Sequence, residues 1–487
     1  MIRVLHAAAE LFPWVRTGGL GDVIAALPPA LVEVGVDARL VLPGFAGFVD
    51  AFELGQSLRL RTPFAIERVR VARALLPGSG VEAYIVDHPT FYDRPGSPYG
   101  APDGSDWPDN HRRFALFGWV AAALAQGADP NWRADILHCH DWHAGLAPAY
   151  LHASAAPLPS IFTIHNLAYQ GFFPAGLFAD LALPADFFAI DGVEFYGGVS
   201  FLKAGLFYAD RLTTVSPTYA REIQTPAFGW GLDGLLRARA AVLTGVLNGV
   251  DPKVWAPDND PLLPRVYIVD DAAEGKAAAK TALRRRFGLA GPPGAPLFGV
   301  VTRLTAQKGL DLLLAALPGL IDLGGWLVLL GSGDGALEAG FAAAAQTYRG
   351  RVGVVLGYDE PLSHLILAGS DSIIMPSRFE PCGLTQLYAL CYGALPLVRR
   401  TGGLADTVVD ANAATLADGS ATGFAFEAET PAGLLAAIQR AVALYRDQAS
   451  WRRMMRQAMT RDFSWEAAAK KYMTLYRDLI LPGPGTA

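Results

Sequence analysis

The chain has 487 residues, more than one ordinary hydrophobic core accommodates. Because a domain typically has about 150 residues, this length indicates two or three domains. Its 40 Lys and Arg residues stand against 46 Asp and Glu residues, and without a long basic tract nucleic acid is excluded as an expected partner. Three widely separated cysteines, Cys139, Cys382 and Cys391, offer neither a disulfide framework nor a repeated CxxC metal site, and they indicate a reducing compartment.

The apolar runs of the chain are short and break at Gly, Pro or charged residues, whereas a membrane span needs about 20 apolar residues. No membrane association is therefore expected. The N-terminal stretch MIRVLHAAAELFPWV is interrupted by His6 and Glu10 and has no convincing cleavage site, so it predicts a buried first strand. Because the first chemical motif follows closely on Met1, no room remains for a plastid transit peptide, and a cytoplasmic location is expected.

Apolar runs followed by stretches of helical spacing recur along the first half of the chain. The runs do not alternate with polar residues, which is typical of a parallel sheet covered by helices on both faces. The pattern predicts an α/β, doubly wound (Rossmann-like) domain over residues 1–246, with strands at residues 2–8, 38–42, 81–86, 135–140, 160–165 and 211–216.

A second series of the same kind predicts another Rossmann-like domain over residues 261–462, with strands at 296–304, 326–331, 352–358, 371–376 and 395–398. Between the two series lies LNGVDPKVWAPDND, residues 247–260. Its content of Asn, Gly, Asp and Pro is typical of an irregular connection, and it predicts a hinge.

The last segment, residues 463–487, predicts an amphipathic helix that can pack back on the N-terminal domain. Apolar residues recur there at helical spacing: Trp465, Ala468, Tyr472, Leu475 and Leu479.

The first chemical motif is TGGLGD, residues 17–22, between the first strand and a helix. Gly18 and Gly19 let backbone N–H groups approach an anion, the helix N-terminus adds partial positive charge, and Arg16 adds a cation. The motif indicates a phosphate site, and the alternative is a glycine turn with no ligand. A similar hexamer, TGGLAD at 401–406, is either a coincidence or a second glycine loop directed into the same cleft.

Two cations occur in VTRLTAQKGLD, where Arg303 leaves a strand and Lys308 opens the next helix. Open α/β sheets bind ligands at the carboxyl ends of their strands, and a diphosphate would satisfy both cations with charge-assisted hydrogen bonds. The alternative is ordinary solvated surface charge.

The loop SRFEPCGLTQ, residues 377–386, places Glu380 between a strand and a helix. Its carboxylate can accept hydrogen bonds from vicinal sugar hydroxyls. The alternative is that Glu380 caps the helix or interacts with its dipole.

The motifs HCHDWH (138–143) and TIHN (163–166) gather His, Cys and Asp residues near two strand ends. A zinc site is one interpretation. The spacing matches no familiar zinc pattern, however, and residues that alternate along a strand cannot all converge. We therefore expect no metal, and we interpret Asp141 and His165 as polar groups that line the floor of a cleft.

Taken together these motifs resemble the glycogen and starch synthase family of retaining glycosyltransferases. The family opens with Lys-Thr-Gly-Gly-Leu, then Ala or Gly, Asp and Val, and this chain has RTGGLGDV. The resemblance continues in the same order through HDWHAG, TIHN, LNGVD, TRLTAQKGLD, GYDE, PSRFEPCGLTQLYAL and RRTGGLADTV. It implies the GT-B fold, in which two Rossmann-like domains face each other across a cleft.

The resemblance implies that the C-terminal domain binds the nucleotide-sugar. Arg303 and Lys308 would hold the diphosphate and stabilise the charge of departing ADP, and Glu380 would hold the transferring glucose. The remaining donor contacts it implies are the N–H groups of Cys382, Gly383 and Leu384 beside the glucose, Thr385 at the phosphate and Tyr358 on the adenine.

In the N-terminal domain, the resemblance implies that Gly18 and Gly19 approach the phosphates and sugar of the donor, with Asp22 nearby. Asp141 and His165 would line the acceptor side of the anomeric carbon. One residue departs from the family: Arg16 stands where the family has Lys, which keeps the charge but exchanges a compact ammonium for a planar guanidinium.

The implied reaction transfers glucose from ADP-glucose to glycogen or a maltooligosaccharide, with retention of configuration and without a metal or other cofactor. The alternatives are a retaining GT-B enzyme that uses a UDP- or GDP-sugar and a catalytically silent glucan-binding protein. A nicotinamide dehydrogenase is disfavoured, because the first strand is followed by TGGLGD rather than GxGxxG.

Overall fold

The computed structural model describes residues 1–49, 51–154 and 156–480. The chain divides into two compact units. The N-terminal unit contains residues 1–249 and the segment from Trp465 onward, and the C-terminal unit is Val250–Ser464. None of the described helices is long and apolar enough to cross a membrane.

The described residues of the N-terminal unit form twelve strands: β1 (Ile2–Ala7), β2 (Val36–Pro43), β3 (Ser57–Arg61), β4 (Arg68–Leu75), β5 (Glu82–Asp87), β6 (Ile136–His140), β7 (Ser160–Ile164), β8 (Phe172–Pro174), β9 (Glu194–Phe195), β10 (Gly198–Ser200), β11 (Arg211–Thr214) and β12 (Leu243–Gly245). Nine form one sheet in the order β12-β11-β7-β6-β1-β2-β5-β4-β3. Its pairs are parallel except β5–β4 and β4–β3. A small antiparallel sheet has the order β8-β10-β9.

The helices of this part of the unit are α1 (Gly19–Glu33), α2 (Ala46–Val49), α3 (Pro89–Tyr92), α4 (Asn110–Ala125), α5 (Ala147–Ala153), α6 (Phe201–Tyr208), α7 (Pro217–Glu222) and α8 (Asp233–Ala238). Hydroxyl side chains begin two of them. Ser200 accepts a hydrogen bond from the Lys203 amide at the start of α6, and Ser216 accepts one from the Tyr219 amide at the start of α7. Such caps satisfy backbone donors that the first helical turn leaves unpaired.

The six strands predicted in the first half correspond to β1, β2, β5, β6, β7 and β11, with ends that shift by a few residues. The short strands β8, β9, β10 and β12 were missed, and so were the longer strands β3 and β4. The residues of β3 and β4 alternate between exposed and more buried positions, since these strands form the antiparallel edge of the sheet, so they lack the continuous apolar pattern of the buried parallel strands.

The C-terminal unit has a six-stranded sheet, all parallel, in the order β15-β14-β13-β16-β17-β18. Its strands are β13 (Leu297–Val301), β14 (Trp326–Gly331), β15 (Val352–Leu356), β16 (Ser372–Met375), β17 (Leu395–Arg399) and β18 (Phe424–Phe426). Its helices are α9 (Ala272–Phe287), α10 (Leu310–Asp322), α11 (Gly335–Thr347), α12 (Glu360–Gly369), α13 (Thr385–Cys391), α14 (Gly402–Thr407), α15 (Ala413–Asp418), α16 (Pro431–Tyr445) and α17 (Gln448–Met459). The five strands predicted here all form, and β18 was missed.

The segment predicted as a hinge, residues 247–260, contains the boundary between the two units, but most of it packs on the C-terminal unit. Trp255 stacks on Tyr388 with ring centroids 4.1 Å apart. Asp260 is buried, and its carboxylate accepts a hydrogen bond from the Tyr392 hydroxyl at 2.6 Å and contacts His364 Nδ1 at 2.8 Å. The segment is irregular yet held by side-chain contacts, and bending there stays a prediction.

The C-terminal helix α18 (Trp465–Ile480) packs against α1 and completes the N-terminal unit. Trp465, Tyr472 and Tyr476 lie in one apolar cluster with residues of β1 and α1. Tyr476 is fully buried, and its hydroxyl lies 2.8 Å from Nδ1 of His138. The helix is therefore bonded to the centre of the sheet as well as packed on it.

Tyr476→Phe is expected to destabilise the N-terminal unit by about 1 to 3 kcal/mol, because it leaves Nδ1 of the buried His138 without its partner. Thermal unfolding followed by circular dichroism would show the loss as a lower Tm. Tyr169→Phe is the control, since that side chain is 53% exposed and its hydroxyl can bond to water. Equal Tm values for the two variants would contradict the assigned hydrogen bond.

Candidate active site

Glu10 organises the glycine loop that follows β1. Its carboxylate accepts hydrogen bonds from the Thr17 amide at 2.8 Å, the Gly18 amide at 3.2 Å and the Thr17 hydroxyl. The Tyr99 hydroxyl also donates to it, at 2.7 Å. Glu10 thus already occupies the amide of Gly18, one of the two glycines that the sequence offered to a phosphate. Gly18 is the N-cap residue of α1 and makes no side-chain cap. Sequence reasoning missed Glu10 and Tyr99 as parts of this site.

Arg16, the residue that departs from the family, forms an ion pair with Asp22, with 3.2 Å between Nε and Oδ2. Its guanidinium carbon also lies 5.3 Å from the centroid of the Phe12 ring. Two of the predicted site residues of this loop therefore contact each other, and the planar guanidinium packs on an aromatic neighbour.

Arg16→Lys is expected to keep transfer activity within about tenfold of the wild type, a barrier change of at most roughly 1.4 kcal/mol. The ammonium retains the charge and can still pair with Asp22, but it loses the planar contact with Phe12. Steady-state kinetics with the donor varied would measure the change. A much larger loss would show that this loop depends on the shape of the guanidinium.

Asp141 lies where β6 ends and a short 3₁₀ turn, Trp142–Ala144, begins. Its backbone has φ 56° and ψ −178°, a conformation that non-glycine residues rarely adopt and that is often found at functional sites. Its Oδ1 accepts hydrogen bonds from the amides of His165 at 2.8 Å and Asn166 at 3.4 Å. Burial nevertheless raises the pKa of Asp141 to about 7, against these two stabilising donors.

Four imidazoles meet where β1, β6 and β7 lie side by side. His140 lies between His6 and His165, with nitrogen–nitrogen distances of 3.1 Å and 3.0 Å. His138 instead contacts Thr163 at 2.6 Å and Tyr476. Candidate ligand atoms of His6, His138 and His140 lie within 4.8 Å of one another, but a metal ion would have to displace several of these hydrogen bonds. The zinc interpretation thus competes with a hydrogen-bonded one.

In the C-terminal unit, Lys308 and Glu380 form a close ion pair, with 2.6 Å between Nζ and Oε2. Ser377 donates a second hydrogen bond to the same oxygen at 2.9 Å, and Glu380 is only 5% exposed. Lys308 belongs to a 3₁₀ turn after β13, and Arg303 is exposed on the same connection. Within the described part of the chain, neither Arg303 nor Thr385 bonds to the Glu380 side chain.

The backbone of the Glu380 loop is held by the last residue of β17 and by the start of the segment that follows it. The Arg399 guanidinium donates to the carbonyl oxygens of Ser377, at 2.8 Å, and Arg378. The Gly403 amide donates to the Glu380 carbonyl at 3.1 Å, and a Cβ atom on Gly403 would collide with the Cys382 carbonyl. The second glycine hexamer therefore supports the backbone of the Glu380 loop. Its direction toward a ligand stays a prediction.

The remaining donor-site candidates follow the ends of two strands. Cys382 is buried, Gly383 has φ 72°, and Leu384 precedes α13, which begins at Thr385. Tyr358 follows β15 and is 72% exposed, with its hydroxyl bonded to Glu360.

Comparisons with known proteins agree with this geometry. Residues 3–238 match the family described as "Starch synthase catalytic domain", and residues 284–458 match "Glycosyl transferases group 1". The structure is similar to the catalytic domain of starch synthase IV from Arabidopsis thaliana bound to ADP and acarbose, with a TM-score of 0.87, 33% identity, and 98% of this chain and 99% of that chain covered. Sucrose-phosphate synthase from Thermosynechococcus elongatus, at 19% identity and a TM-score of 0.61 over 99% and 100% of the two chains, shares the fold.

The two doubly wound units and these likenesses define a glycosyltransferase of the GT-B class, which confirms the predicted fold class. Among curated proteins, the glycogen synthase of Francisella philomiragia is 51% identical over 98% of this chain and 100% of its own length. That of Francisella tularensis subsp. novicida is 50% identical over 98% and 99%. The chain belongs to the glycogen and starch synthase family.

Proposed function

We propose that this glycosyltransferase moves glucose from ADP-glucose to the non-reducing end of an α-1,4-glucan, glycogen or a maltooligosaccharide, with retention of configuration. The observation that carries the proposal is the Lys308–Glu380 pair, together with the exposed Arg303 on the same connection as Lys308, after the carboxyl end of the parallel strand β13. Cations for a diphosphate and a carboxylate for sugar hydroxyls are what a nucleotide-sugar needs. Relatives named glycogen synthase and a neighbour that holds ADP and acarbose support the same donor and acceptor.

On the donor side, Lys308 and Arg303 bind the diphosphate and stabilise the negative charge that grows as ADP leaves. Both hydrogen bonds to Glu380 reach Oε2, so Oε1 is the oxygen offered to the glucose hydroxyls. The remaining donor contacts are the amides of Cys382, Gly383 and Leu384, the Thr385 hydroxyl, the Tyr358 ring against adenine, and the loop of Arg16, Gly18, Gly19 and Asp22.

On the acceptor side, Asp141 and His165 lie together, joined by the hydrogen bond from the His165 amide to Oδ1. The bond from the anomeric carbon to the ADP oxygen breaks while the acceptor O4 bonds to the same face of that carbon. The departing phosphate takes the acceptor proton, and the groups around His165 stabilise the positive charge on the sugar. A glucosyl ester trapped on Asp141 or Glu380 would contradict this route.

The reaction is proposed to need no metal or other cofactor, because Lys308 and Arg303 supply the positive charge at the diphosphate. We place the enzyme in the cytoplasm, and its three free thiols support a reducing compartment.

The test is transfer of labelled glucose to glycogen from ADP-glucose and, in parallel, from UDP-glucose, with and without EDTA. We expect strong incorporation from ADP-glucose that EDTA does not change. Equal or greater incorporation from UDP-glucose would overturn the donor assignment, and loss of activity in EDTA would overturn the metal-free mechanism. Binding of glycogen without transfer from either donor would identify a silent glucan-binding protein.

A further inference from the structure

A row of three imidazoles crosses the sheet of the N-terminal unit from the interior to the candidate site. His6 lies on β1, His140 ends β6 and His165 follows β7, and these strands are neighbours in the sheet. Nδ1 of His6 is 3.1 Å from Nε2 of His140, and Nδ1 of His140 is 3.0 Å from Nε2 of His165. His6 and His140 are fully buried, whereas His165 is partly exposed. The row therefore ends on the ring that a ligand can reach.

All three rings are neutral near pH 7. Burial lowers the pKa of His6 to about 3 and lowers the pKa values of His140 and His165 far below the ordinary range. A neutral imidazole has one N–H donor and one acceptor nitrogen. Since His140 bonds to both neighbours, it must accept from one and donate to the other, and the two hydrogen bonds run in the same direction.

The buried end of the row decides which direction is favoured. Nε2 of His6 is buried and has no hydrogen-bond partner among the described residues. If the row ran from His165 to His6, the proton of His6 would lie on this nitrogen as a buried N–H without a partner, a rare and costly arrangement. If His6 donates instead, its N–H is satisfied by His140.

We propose that His6 and His140 are positioning residues that hold His165 with its proton on Nδ1, so that His165 offers the substrate a hydrogen-bond donor from that nitrogen. No described residue bonds to Nδ1 of His165, which leaves that nitrogen for a ligand. The role toward substrate rests on the proposed function, in which His165 lines the acceptor side of the site. The tautomer itself does not depend on that function.

The first experiment reads the tautomer directly. The enzyme is labelled with nitrogen-15 in its histidines, and the His165 signals are identified by their loss in His165→Asn. At pH 7 we expect the proton on Nδ1 and an unprotonated Nε2. A wild-type His165 protonated on Nε2 would overturn the proposal whether or not the enzyme transfers glucose, which separates this failure from a failure of the proposed function.

The second experiment compares two substitutions of His140 whose side-chain amides lie at different distances from the backbone. In His140→Asn the side-chain amide stands near the place of Nδ1 and can still donate to His165, whereas in His140→Gln it stands near the place of Nε2. We expect His140→Gln to lower kcat at least about tenfold with KM for ADP-glucose unchanged, and His140→Asn to recover most of that loss. When His165→Asn is also present, the His140→Gln and His140→Asn enzymes should have equal kcat values.

Equal activity of the two His140 variants in the wild-type background would contradict the role of His140. If their Tm values show that neither variant folds, the comparison is made instead at the hydrogen bond between His6 and His140. There His6→Asn retains a donor to His140 and His6→Leu does not, and equal kcat values for these two would overturn the proposal.

Discussion

Lys308→Met is expected to lower kcat for transfer from ADP-glucose by about a thousandfold, the scale on which removal of one preorganised charge partner acts on a transition state. The ammonium is held by Glu380 at 2.6 Å, so it is fixed before the charge of the departing ADP develops. Initial rates at saturating donor would measure the loss. The control is Lys253→Met, which removes an exposed lysine of the same unit, and it should leave kcat unchanged.

The same substitution is expected to destabilise the C-terminal unit by roughly 3 kcal/mol, because it leaves the buried Glu380 carboxylate without its cation. Adding Glu380→Gln should restore most of that stability, since the amide carries no charge, but it should not restore activity. A double variant that recovers both stability and activity would show that Lys308 serves only to stabilise the fold. A Lys308→Met enzyme with kcat within tenfold of the wild type would contradict the proposed role of Lys308 at the diphosphate.

Asp141→Asn is expected to lower transfer at least about a hundredfold while making the N-terminal unit more stable at pH 8. The asparagine side chain fits the same space and can still accept a hydrogen bond from the His165 amide, so the lost property is the titratable carboxylate that we propose for the acceptor side. Single-turnover rates with a maltooligosaccharide acceptor would measure the first effect. Asp186→Asn, at an exposed position of the same unit, is the control.

The stability effect has a definite sign. The carboxyl group of Asp141 has a pKa of about 7 in the folded chain and about 3.9 when unfolded, so the unfolded state loses its proton first as the pH rises. The wild type therefore loses stability between about pH 4 and 7, and asparagine does not titrate. The advantage of Asp141→Asn should grow by roughly 2.6 kcal/mol from pH 5 to pH 8. An advantage that is constant or falls with pH would contradict the raised pKa.

The parallel strands could be predicted because a strand buried on both faces is apolar along its whole length, as β6 and β14 are. The antiparallel strand β4 could not be predicted in the same way. Successive side chains of its sequence RVRVARAL lie on opposite faces of the sheet, so charged and apolar residues alternate in the sequence. Its partner strands are determined by the fold rather than by a local sequence pattern.

The candidate site was only partly predictable. Strand-end motifs pointed to Lys308 and Glu380, which lie 72 residues apart in sequence, and the structure joins them. Glu10 was recognised only as an interruption of the first apolar run, because one of its partners, Tyr99, lies 89 residues away. The imidazole row depends on the strand order β7-β6-β1, which no single motif specifies.

Glucose transfer can be observed directly when ADP-glucose labelled with carbon-13 at C1 is supplied together with a maltooligosaccharide and the labelled anomeric carbon is followed by NMR. We predict that the label moves from ADP into a new α-1,4 linkage at the non-reducing end of the acceptor. A β-linked product, a different linkage position, or label that remains on ADP with active enzyme present would contradict the account.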